Sequence, residues 1–392
     1  MLETTTIPCT LECIAKGTPF EMGFAQGKTL REKIGLSMGV LERLEAFRLA
    51  QPGWLPYSIF RRLSEMRATQ FLKDPLQRNF PEALQRMNGI AAGAEVTLRH
   101  LFLLHAMEPM LSDVRNKAVA SPALGACSAV AIRGKRSTTS EPIIARNFDY
   151  LPLVQPMCAV RESRPVSRFR SLDFTIAPFA GAFDGVNERG LCITFDYAYV
   201  RDFSNSGTAP ISIVIAETLE RCSTVDEAVA WIRSRPRWGG ALLMLADDGG
   251  DIASMELSNT RTEVRRPGTG EDAIFHSNAF FTESMRSVQV DSNMRYAGNA
   301  PAPLRGRRLH ESAEVRDRRF QQLMKDNEPM NMEQLHAVMA DHENVDIPGG
   351  NSICTHSNYW NTTASVQLFP KQRRMRISFS SACTADYSEL AL

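Results

Sequence analysis

The 392-residue sequence predicts an α+β fold in which antiparallel sheets are covered by helices. Apolar residues recur at three- and four-residue spacing through roughly the first 115 residues, which is typical of amphipathic helices. After about residue 120 the apolar segments shorten and are separated by Gly, Asp, Asn and Pro, which is typical of strands and turns. Further helical segments interrupt this β-rich part, and the resulting order favours sheets with helical layers.

The predicted elements follow from these patterns in chain order. Helices are predicted at residues 20–50, 57–72, 81–94, 98–114, 211–222, 225–235, about 304–325 and 332–341. Strands are predicted at residues 127–132, 142–148, 179–186, 190–197, 241–247, 252–257, 260–266, 362–370 and 373–380. Thr224 and Glu227 have the spacing of a capping box at the start of one helix. Small residues and a proline at 116–126 predict an exposed connector.

Composition limits the classes of function. The chain is 43% hydrophobic and 23% charged, as soluble globular proteins are. Lys and Arg number 45 against 44 Asp and Glu, so the net charge of +1 provides no strong field for nucleic acid or an anionic membrane surface. We therefore expect neither nucleic acid nor a membrane among the partners.

The N-terminal residues and the cysteines bear on the cellular compartment. The start of the chain lacks the basic residues and apolar core of a signal peptide, and no segment approaches the roughly 20 apolar residues that span a bilayer. The eight cysteines are scattered without a CxxC pair or a disulfide-framework spacing. These features predict a cytoplasmic protein whose cysteines are mostly small buried hydrophobic residues.

Several possible motifs are set aside. His100 and His105 are five residues apart, about 140° around a helix, and so cannot bind one metal ion as an i, i+4 pair would. The acidic residues from Asp247 to Asp251 lack the ligand spacing of a calcium loop and predict a hairpin turn. GxGxxG, Walker A and GxSxG patterns do not occur. No metal or organic cofactor is implied.

Cys127 begins the predicted strand 127–132, and strand 142–148 follows after a charged loop. If the two strands pair as a hairpin, Cys127 lies opposite the region from Arg146 to Asp149. A thiol, a guanidinium and a carboxylate would then share one end of the hairpin. The sequence does not set the register to within one residue, so which side chains share a face stays open. The alternative is an ordinary buried cysteine in a core strand.

A thiol with a pKa of about 8.5 needs a base to act as a nucleophile at neutral pH. Among the seven histidines, only His276 lies in a segment near the candidate site. Cleavage of the bond between Ala126 and Cys127 would supply another base, an α-amino group with a pKa of about 7.7–8.0 on the same residue as the thiol. Cys127 would then act as an N-terminal nucleophile without a histidine.

Six motifs in order carry a family resemblance over most of the chain. They are GTPFEMGFAQGKTLREKI, MNGIAAGAEVTLRHLFLLHAMEPM, GACSAVAI with IIARNFDY, DGVNERGLCITFDY, FHSNAF, and SICTHS with TTASVQLFP and RRMRISFSSACTADY. Together they resemble the penicillin acyltransferase-like (isopenicillin N acyltransferase-type) cysteine Ntn-hydrolases, and more distantly the conjugated bile acid hydrolases and acid ceramidases. The resemblance implies the Ntn-hydrolase αββα four-layer sandwich of antiparallel sheets.

The resemblance also implies roles for the residues of the hairpin. Cys127 matches the nucleophile, and the bond from Ala126 to Cys127 matches the autoproteolytic bond. Arg146 and Asp149 match an Arg-Asn-x-Asp pair, in which the carboxylate holds the new α-amino group and the guanidinium orders the pocket. Alanine precedes the nucleophile where the family often has glycine. Alanine permits the strained backbone turn that cleavage requires, but it adopts this conformation less readily than glycine does.

Two asparagines match family positions near the reacting carbonyl. Asn187, in VNERG, matches a donor to the negatively charged oxygen of the tetrahedral intermediate. Without the resemblance, Asn187 is a turn residue before Gly190. Asn278, in FHSNAF, matches a second asparagine near the substrate carbonyl, and its alternative is an ordinary strand end.

The substrate pocket is less clearly marked. Arg305 or Arg308 matches the arginine of a Ser-x-x-Arg motif, although Ala302 replaces the serine before Arg305. A second group consists of aromatic residues near strand ends that could line an apolar acyl site, with core packing as the alternative. Its members are Phe148, Tyr150 and Tyr197.

The resemblance and the residues together predict an enzyme of the Ntn-type amidohydrolase or N-acyltransferase class. Cys127 would attack a small linear, non-peptide amide or an acyl thioester, and water or an amine acceptor would resolve the acyl-enzyme. One alternative is a hydrolase that uses His276 without chain cleavage. Another is a catalytically silent scaffold of the same fold that binds a ligand.

Autoproteolysis would divide one integrated fold into two chains. Residues 1–126 form the helical N-terminal segment, and residues 127–392 form the nucleophile-bearing αββα portion. The strands that begin at Cys127 would share a core with the preceding helices. The processed chains are therefore expected to stay associated.

Overall fold

The computed structural model describes residues 9–112, 125–202, 209–342 and 349–392. Its helices are α1 (Pro19–Thr29), α2 (Arg31–Arg43), α3 (Glu45–Arg48), α4 (Tyr57–Asn79), α5 (Pro81–Ala94), α6 (Leu98–Ser112), α7 (Ile211–Arg221), α8 (Val225–Ser234), α9 (Glu283–Arg286), α10 (Glu311–Leu323) and α11 (Met332–Met339). Its strands are β1 (Leu11–Gly17), β2 (Gly125–Ile132), β3 (Ile143–Tyr150), β4 (Cys158–Pro165), β5 (Ser171–Ile176), β6 (Asp184–Asn187), β7 (Cys192–Ala198), β8 (Ala209–Pro210), β9 (Arg237–Trp238), β10 (Gly240–Ala246), β11 (Ile252–Leu257), β12 (Thr262–Arg265), β13 (Ala273–His276), β14 (Asn361–Phe369), β15 (Arg374–Ser378) and β16 (Ser388–Ala391).

Two large sheets form the centre of the molecule. Within the described residues, an eight-stranded sheet has the order β1-β4-β5-β6-β7-β10-β11-β12, and a six-stranded sheet has the order β13-β2-β3-β14-β15-β16. Strands β2 and β3 of the second sheet pack against β7 and β10 of the first, so the sheets face each other. Together with the helices α1–α6 that precede β2, this arrangement confirms the predicted α+β class and the helical N-terminal segment.

Helices cover the outer face of each sheet. Helix α10 packs on β2 and β13, and α11 packs on β3, where Phe320 and Leu335 join a buried apolar cluster with alternate residues of β2 such as Val130. On the other side, α7 packs on β6 and β7. Alternate strand residues thus face either the opposite sheet or a helix, which explains why strands such as β3, β5, β10, β11 and β14 are buried along their whole length.

The N-terminal segment is built into the eight-stranded sheet. Strand β1 pairs in parallel with β4, although the two lie on opposite sides of Cys127 in the chain. Helices α1 and α5 cross in backbone contact: a Cβ atom added at Gly23 would lie 2.0 Å from the Arg86 carbonyl oxygen, and one added at Gly89 would lie 2.1 Å from the Phe20 carbonyl oxygen. Only glycine permits this approach.

The structure corrects several predicted boundaries. The strand expected at 179–186 is confined to 184–187, the helix expected at 304–325 begins at Glu311, and strands β1, β4 and β5 were not predicted. Strand β4 was missed because its sequence, CAVRESRP, is rich in charged residues. Its Arg161 is buried by an ion pair of 2.6 Å with Asp173 on β5, a long-range contact that local hydrophobicity does not reveal.

Other predictions are confirmed locally. The Thr224 hydroxyl accepts a hydrogen bond from the Glu227 backbone at the start of α8, which is one half of the predicted capping box, whereas the Glu227 carboxylate accepts from the Ser223 backbone and not from Thr224. The acidic segment 247–251 turns between β10 and β11. The connector predicted at 116–126 falls outside the described residues except for its last two positions, which belong to β2. In the part of the chain that the structure describes, no helix is both long and apolar enough to cross a membrane.

Candidate active site

The β2–β3 hairpin sets which side chains surround Cys127. Cys127 pairs with Phe148, and Ala129 pairs with Arg146. Residues opposite each other, and alternate residues along a strand, share a face of the sheet. Arg146 therefore lies on the same inner face as Cys127, whereas Asp149 points to the outer, helix-covered face.

The Cys127 thiol is buried and contacts a guanidinium group. Its side chain is 3% exposed, and Nη2 of Arg146 donates a hydrogen bond of 3.0 Å to Sγ. Burial raises the pKa of the Cys127 thiol well above its usual value, and the charge of Arg146 opposes this rise. The resting cysteine is thus a protonated thiol placed beside a cation that would stabilise the thiolate.

Arg146 is held in place by two buried carboxylates from the opposite sheet. Its Nη1 atom donates to Asp184 over 3.0 Å and its Nε atom donates to Asp196 over 3.0 Å. The guanidinium carbon lies 4.6 Å from the centre of the Phe148 ring, a cation–π distance. Burial raises the pKa of Asp196 to about 7, against the opposing effect of Arg146. Arg146 is therefore preorganised towards the sulfur.

Asn278 and Arg316 hold the backbone of Cys127. The backbone N–H of Cys127 donates to Oδ1 of Asn278 over 2.8 Å, and Nη2 of Arg316 donates to the same oxygen over 2.8 Å. Nη1 of Arg316 donates to the Cys127 carbonyl oxygen and, over 2.8 Å, to Oγ of Ser128. Nδ2 of Asn278 donates to the Tyr197 carbonyl oxygen over 2.8 Å. The structure thus brings Asn278 to Cys127, as its sequence motif suggested.

Arg316 was missed from the sequence, although a signal for it exists. Ala313, Arg316 and Phe320 occur at helical spacing on α10 and are all buried. An arginine on the apolar stripe of a helix requires buried acceptors, and this position is therefore a candidate for the site.

The arginines expected from the Ser-x-x-Arg motif lie elsewhere. Arg305 donates to the Ala300 carbonyl oxygen over 2.7 Å. Arg308 pairs with Glu314 over 2.6 Å, and 32% of its side chain is exposed. Neither contacts Cys127 in the described structure, whereas Arg316, eight residues after Arg308, contacts its backbone.

Asp149 is near Cys127 but is bound by threonines. Its Oδ1 accepts from Thr362 over 2.5 Å and its Oδ2 accepts from Thr355 over 3.1 Å. Burial raises the pKa of Asp149 to about 6, while Arg316 and the two hydroxyl groups oppose the rise. The backbone N–H of Cys127 donates to Asn278 and not to this carboxylate.

Asn187 lies at a turn, with its amide group fully occupied. Its Nδ2 donates to the carbonyl oxygens of Leu219 and Cys222 over 2.7 Å each, and its Oδ1 accepts from the backbone of Arg189 and Leu191 over 3.0 Å each. Both amide hydrogens are thus used to join the β6–β7 turn to the end of α7. The structure supports the turn alternative and does not bring Asn187 to Cys127.

We expect Asn187→Ala to destabilise the fold without changing the chemistry of Cys127. The substitution removes the partner of two buried carbonyl oxygens, of the buried Leu191 N–H group and of the partly buried Arg189 N–H group, which costs about 2–4 kcal/mol in the free energy of unfolding. Chemical denaturation measures this loss. Intact-mass analysis at a temperature where the variant is folded should show chain cleavage as in the wild type, and a folded variant that is no longer cleaved would contradict the assignment.

His276 contacts Ser254 and Asp196 and does not contact the sulfur. Its Nδ1 lies 2.7 Å from Oγ of Ser254, and its Nε2 lies 3.5 Å from Oδ2 of Asp196. Burial lowers the pKa of His276 well below its usual value, so the ring is neutral. Among the described contacts of Cys127, the sulfur is bound by Arg146, which lies between it and Asp196.

Two of the predicted pocket aromatics belong to the core. Phe148 and Tyr150 stack with ring centres 4.9 Å apart, and Phe148 also packs edge-on against Phe174 at 5.1 Å. Tyr197 is partly exposed, its ring contacts Tyr199 at 5.5 Å, and its carbonyl oxygen contacts Asn278. Tyr197 is therefore the member of this group that lies at the edge of the site.

A polar cavity of about 610 Å³ adjoins the site. Ala279, next to Asn278, and Asp317, next to Arg316, both line it. Phe280, Phe281 and His310 contribute its larger side chains. Asn278 and Arg316 are themselves buried and do not line the cavity, so it is their chain neighbours that place it next to the site.

Comparison with protein families gives a match over most of the chain. A sequence model of the family described as acyl-coenzyme A:6-aminopenicillanic acid acyl-transferase matches residues 136–382. This range contains Arg146, Asp149, Asn278 and Arg316 and begins nine residues after Cys127. Comparison with curated proteins gave no match.

Solved structures of low sequence identity also match. The N-acylethanolamine-hydrolyzing acid amidase ortholog of Caenorhabditis elegans is 11% identical, with a TM-score of 0.44, covering 68% of this chain and 100% of that chain. Penicillin V acylase from Agrobacterium tumefaciens is 14% identical, with a TM-score of 0.40 and coverage of 68% and 86%. A mutant conjugated bile acid hydrolase from Clostridium perfringens is 12% identical, with a TM-score of 0.37 and coverage of 68% and 97%.

Proposed function

Since the chain belongs to the acyl-coenzyme A:6-aminopenicillanic acid acyl-transferase family, we propose that it is a self-processing Ntn-type enzyme whose nucleophile is Cys127. The enzyme would cleave a small non-peptide amide, or transfer its acyl group to an amine, through a Cys127 acyl-enzyme. The observation that carries this proposal is the setting of Cys127, where Arg146 binds the sulfur and Asn278 and Arg316 bind the backbone. No histidine binds the sulfur among its described contacts, so the base must come from elsewhere.

The first reaction is cleavage of the chain. The Cys127 sulfur attacks the carbonyl carbon of Ala126, a C–S bond forms, the Ala126–Cys127 C–N bond breaks, and the nitrogen takes the thiol proton. Water then hydrolyses the thioester, which restores the thiol and leaves a carboxylate on Ala126. Ala126 and Cys127 are consecutive residues of β2, and both are buried.

Cleavage would produce the base for the second reaction. The new α-amino group lies where Asn278 already accepts the N–H of Cys127. Because the guanidinium groups of Arg146 and Arg316 both contact Cys127, their positive charge lowers the pKa of the amine and favours its neutral form near pH 7. Asp149, which is one strand away, would partly balance these charges.

The second reaction forms and resolves an acyl-enzyme. The amine takes the thiol proton as Cys127 attacks the substrate carbonyl, and it gives the proton to the leaving group as the C–N bond breaks. Asn278 has two amide hydrogens, of which one donates to Tyr197, so the other is suited to the oxyanion. The adjoining cavity of about 610 Å³ has room for a small substrate.

The fold agrees with this proposal. The two facing sheets with helices on both outer faces correspond to the αββα sandwich expected of Ntn-hydrolases. After cleavage, residues 1–126 would keep β1 paired with β4, and α1 would keep its buried Gln26 bonded to the Ala177 and Phe179 carbonyl oxygens over 2.9 and 2.8 Å. We therefore expect the two chains to stay associated after processing.

The acyl-enzyme is the species that tests this function. We expect a panel of linear acyl amides and acyl thioesters to yield, after acid quenching, a mass increase equal to the acyl group on the chain 127–392. Peptide mapping should place the adduct on Cys127, and adding a primary amine should divert product from free acid to acyl amide in proportion to its concentration. A processed enzyme that turns over a substrate without any adduct on Cys127 would exclude the proposed mechanism, and one that forms no adduct and no product with the panel would favour a silent scaffold.

A further inference from the structure

A second group of reactive side chains lies apart from Cys127. It consists of His342, Cys354, His356 and Cys383, and one ligand atom from each lies within 4.8 Å of the others. We call this group the Cys2His2 cluster. Its members come from three places: the end of α11, the segment before β14, and the short turn after β15. Residues 41 positions apart in the sequence thus meet at one point.

The spacing within the cluster is that of ligands around one ion. Nε2 of His356 lies 3.4 Å from Sγ of Cys354 and 3.4 Å from Sγ of Cys383. In a tetrahedral zinc site with Zn–S of about 2.3 Å and Zn–N of about 2.05 Å, the S···N edge is about 3.6 Å. The two observed distances therefore need almost no adjustment to accept the ion.

The fourth member has an unused ligand atom. Among the described residues, Nε2 of His342 is buried and has no hydrogen-bond partner. Its ring lies 5.2 Å from the ring of His356, close enough for both imidazoles to reach one ion. A buried polar nitrogen without a partner is costly, and a metal ion would satisfy it.

We propose that His342, Cys354, His356 and Cys383 bind a structural Zn²⁺ ion. Two thiolates and two neutral imidazoles favour zinc over Mg²⁺ or Ca²⁺, which prefer oxygen ligands. Binding releases the two thiol protons, and the two thiolate charges then balance the ion. Four protein ligands leave no position for water or substrate, so the ion has a structural role. The site is separate from the proposed acyl transfer and does not depend on it.

The ion would brace the segment that supports Asp149. Thr355 lies between two of the ligands, Cys354 and His356, and donates a hydrogen bond of 3.1 Å to Oδ2 of Asp149. The backbone N–H of Cys354 donates to the Asp341 carbonyl oxygen over 3.1 Å, beside His342. Zinc would therefore fix the end of α11 and this segment together, and would hold Thr355 against Asp149.

Metal content of the purified full-length chain tests the site directly. After reduction and chelation, Zn²⁺ alone is added back, and bound zinc is measured by mass spectrometry of the metal after gel filtration. We expect one Zn²⁺ per chain, and Co²⁺ in its place should give the intense visible bands and thiolate charge-transfer absorption of a tetrahedral site. Cys383→Ser and His342→Asn should each weaken zinc affinity by more than about 100-fold. Losing a residue that only hydrogen-bonds to a metal ligand already lowers metal affinity about 10- to 100-fold, and these two variants remove a ligand itself.

A matched control and two contrary outcomes complete the test. Cys222→Ser removes a thiol at the end of α7, outside the cluster, and should leave zinc binding unchanged. The proposal is overturned if the reduced wild-type chain binds no zinc. It is also overturned if the Cys383→Ser variant binds zinc as tightly as the wild type. A stable disulfide between Cys354 and Cys383, detected as two fewer thiols in the unreduced, denatured protein, overturns it as well. Chain cleavage and the Cys127 adduct are measured separately, so their failure is distinguishable from failure of the zinc site.

Discussion

Replacing Cys127 with alanine will leave a single 392-residue chain and abolish catalysis. The sulfur is the attacking atom in both proposed reactions, so alanine removes chain cleavage and acyl-enzyme formation together. Loss of a nucleophile typically lowers kcat by about 10⁴-fold or more. Intact-mass analysis should show chains of residues 1–126 and 127–392 for the wild type and only the full-length mass for Cys127→Ala. The mass of the shorter chain identifies the cleaved bond.

A cysteine of similar burial provides the control. Cys158 lies in β4 of the opposite sheet and is 1% exposed, against 3% for Cys127. Cys158→Ala should retain cleavage and activity, with only the small stability loss that follows from removing a buried sulfur. A wild-type chain that remains intact, and carries no acyl group on Cys127 after incubation with substrates, would count against the N-terminal-nucleophile mechanism.

We expect Arg316→Lys to slow chain cleavage and to lower kcat/KM by about 10²- to 10³-fold, comparable to the loss of one oxyanion donor. The Nη1 and Nη2 atoms of Arg316 bind three acceptors around Cys127, namely the Cys127 carbonyl oxygen, Oγ of Ser128 and Oδ1 of Asn278, while its Nε atom binds Ser312 on its own helix. Lysine keeps the charge but lacks the planar set of donors, so it cannot hold all three. The side chain of Asn278 would then no longer be held in a fixed position relative to the backbone of Cys127. Time courses of intact mass, and steady-state kinetics on the fraction that has been cleaved, separate the two effects.

Arg308→Lys is the matched control for Arg316→Lys. Arg308 lies eight residues earlier, is partly exposed, and pairs with Glu314 at the surface. An exposed ion pair contributes little to stability, so the rate of chain cleavage and kcat/KM of Arg308→Lys should both stay within about twofold of the wild type. Thermal unfolding of both variants shows whether any loss of activity is a loss of folding. If Arg316→Lys is folded and is cleaved at the wild-type rate, Arg316 does not position the nucleophile.

The hairpin around Cys127 shows what local sequence patterns can predict. Two apolar segments of similar length flank a charged loop, which predicts that Cys127 lies opposite the region of Arg146 to Asp149, and the structure pairs Cys127 with Phe148. The choice of face was open, because a shift of one residue moves every side chain to the other face. The observed register places Arg146 on the sulfur and Asp149 on the opposite face.

The arginine and asparagine positions show where the motif matches and the described contacts of Cys127 differ. Asn187 was expected to be an oxyanion donor, but four hydrogen bonds occupy it at a turn. Arg305 and Arg308 were matched by a short motif, yet Arg316 reaches Cys127 from the buried face of α10. A motif of four residues does not specify which turn of a helix meets the sheet, because that depends on where the helix begins. The predicted start near 304 preceded the observed start at Glu311.

The Cys2His2 cluster shows a limit of reading ligands by spacing. Cysteines without a CxxC pair or a disulfide-framework spacing were interpreted as mostly buried hydrophobic residues, and no metal site was predicted. Cys354 and His356 are two residues apart, but His342 and Cys383 join them only through the packing of α11 and the turn after β15. Sequence spacing finds metal sites that lie on one turn or one helix, and it misses sites assembled from separate elements.

The sequence by itself determined the α+β class, the division near residue 120, the hairpin that begins at Cys127, and the family resemblance. The first three depend on periodicity and turn residues, which act over a few neighbours in the chain, and the resemblance depends on six motifs in order. Only the tertiary structure decided that Arg146 faces the sulfur, that Asn278 and Arg316 hold the Cys127 backbone, and that four distant ligands meet in one cluster. The reason is physical: a buried polar group is stabilised by whichever partner the packing of sheets and helices brings within hydrogen-bond distance, and that partner can lie anywhere in the chain.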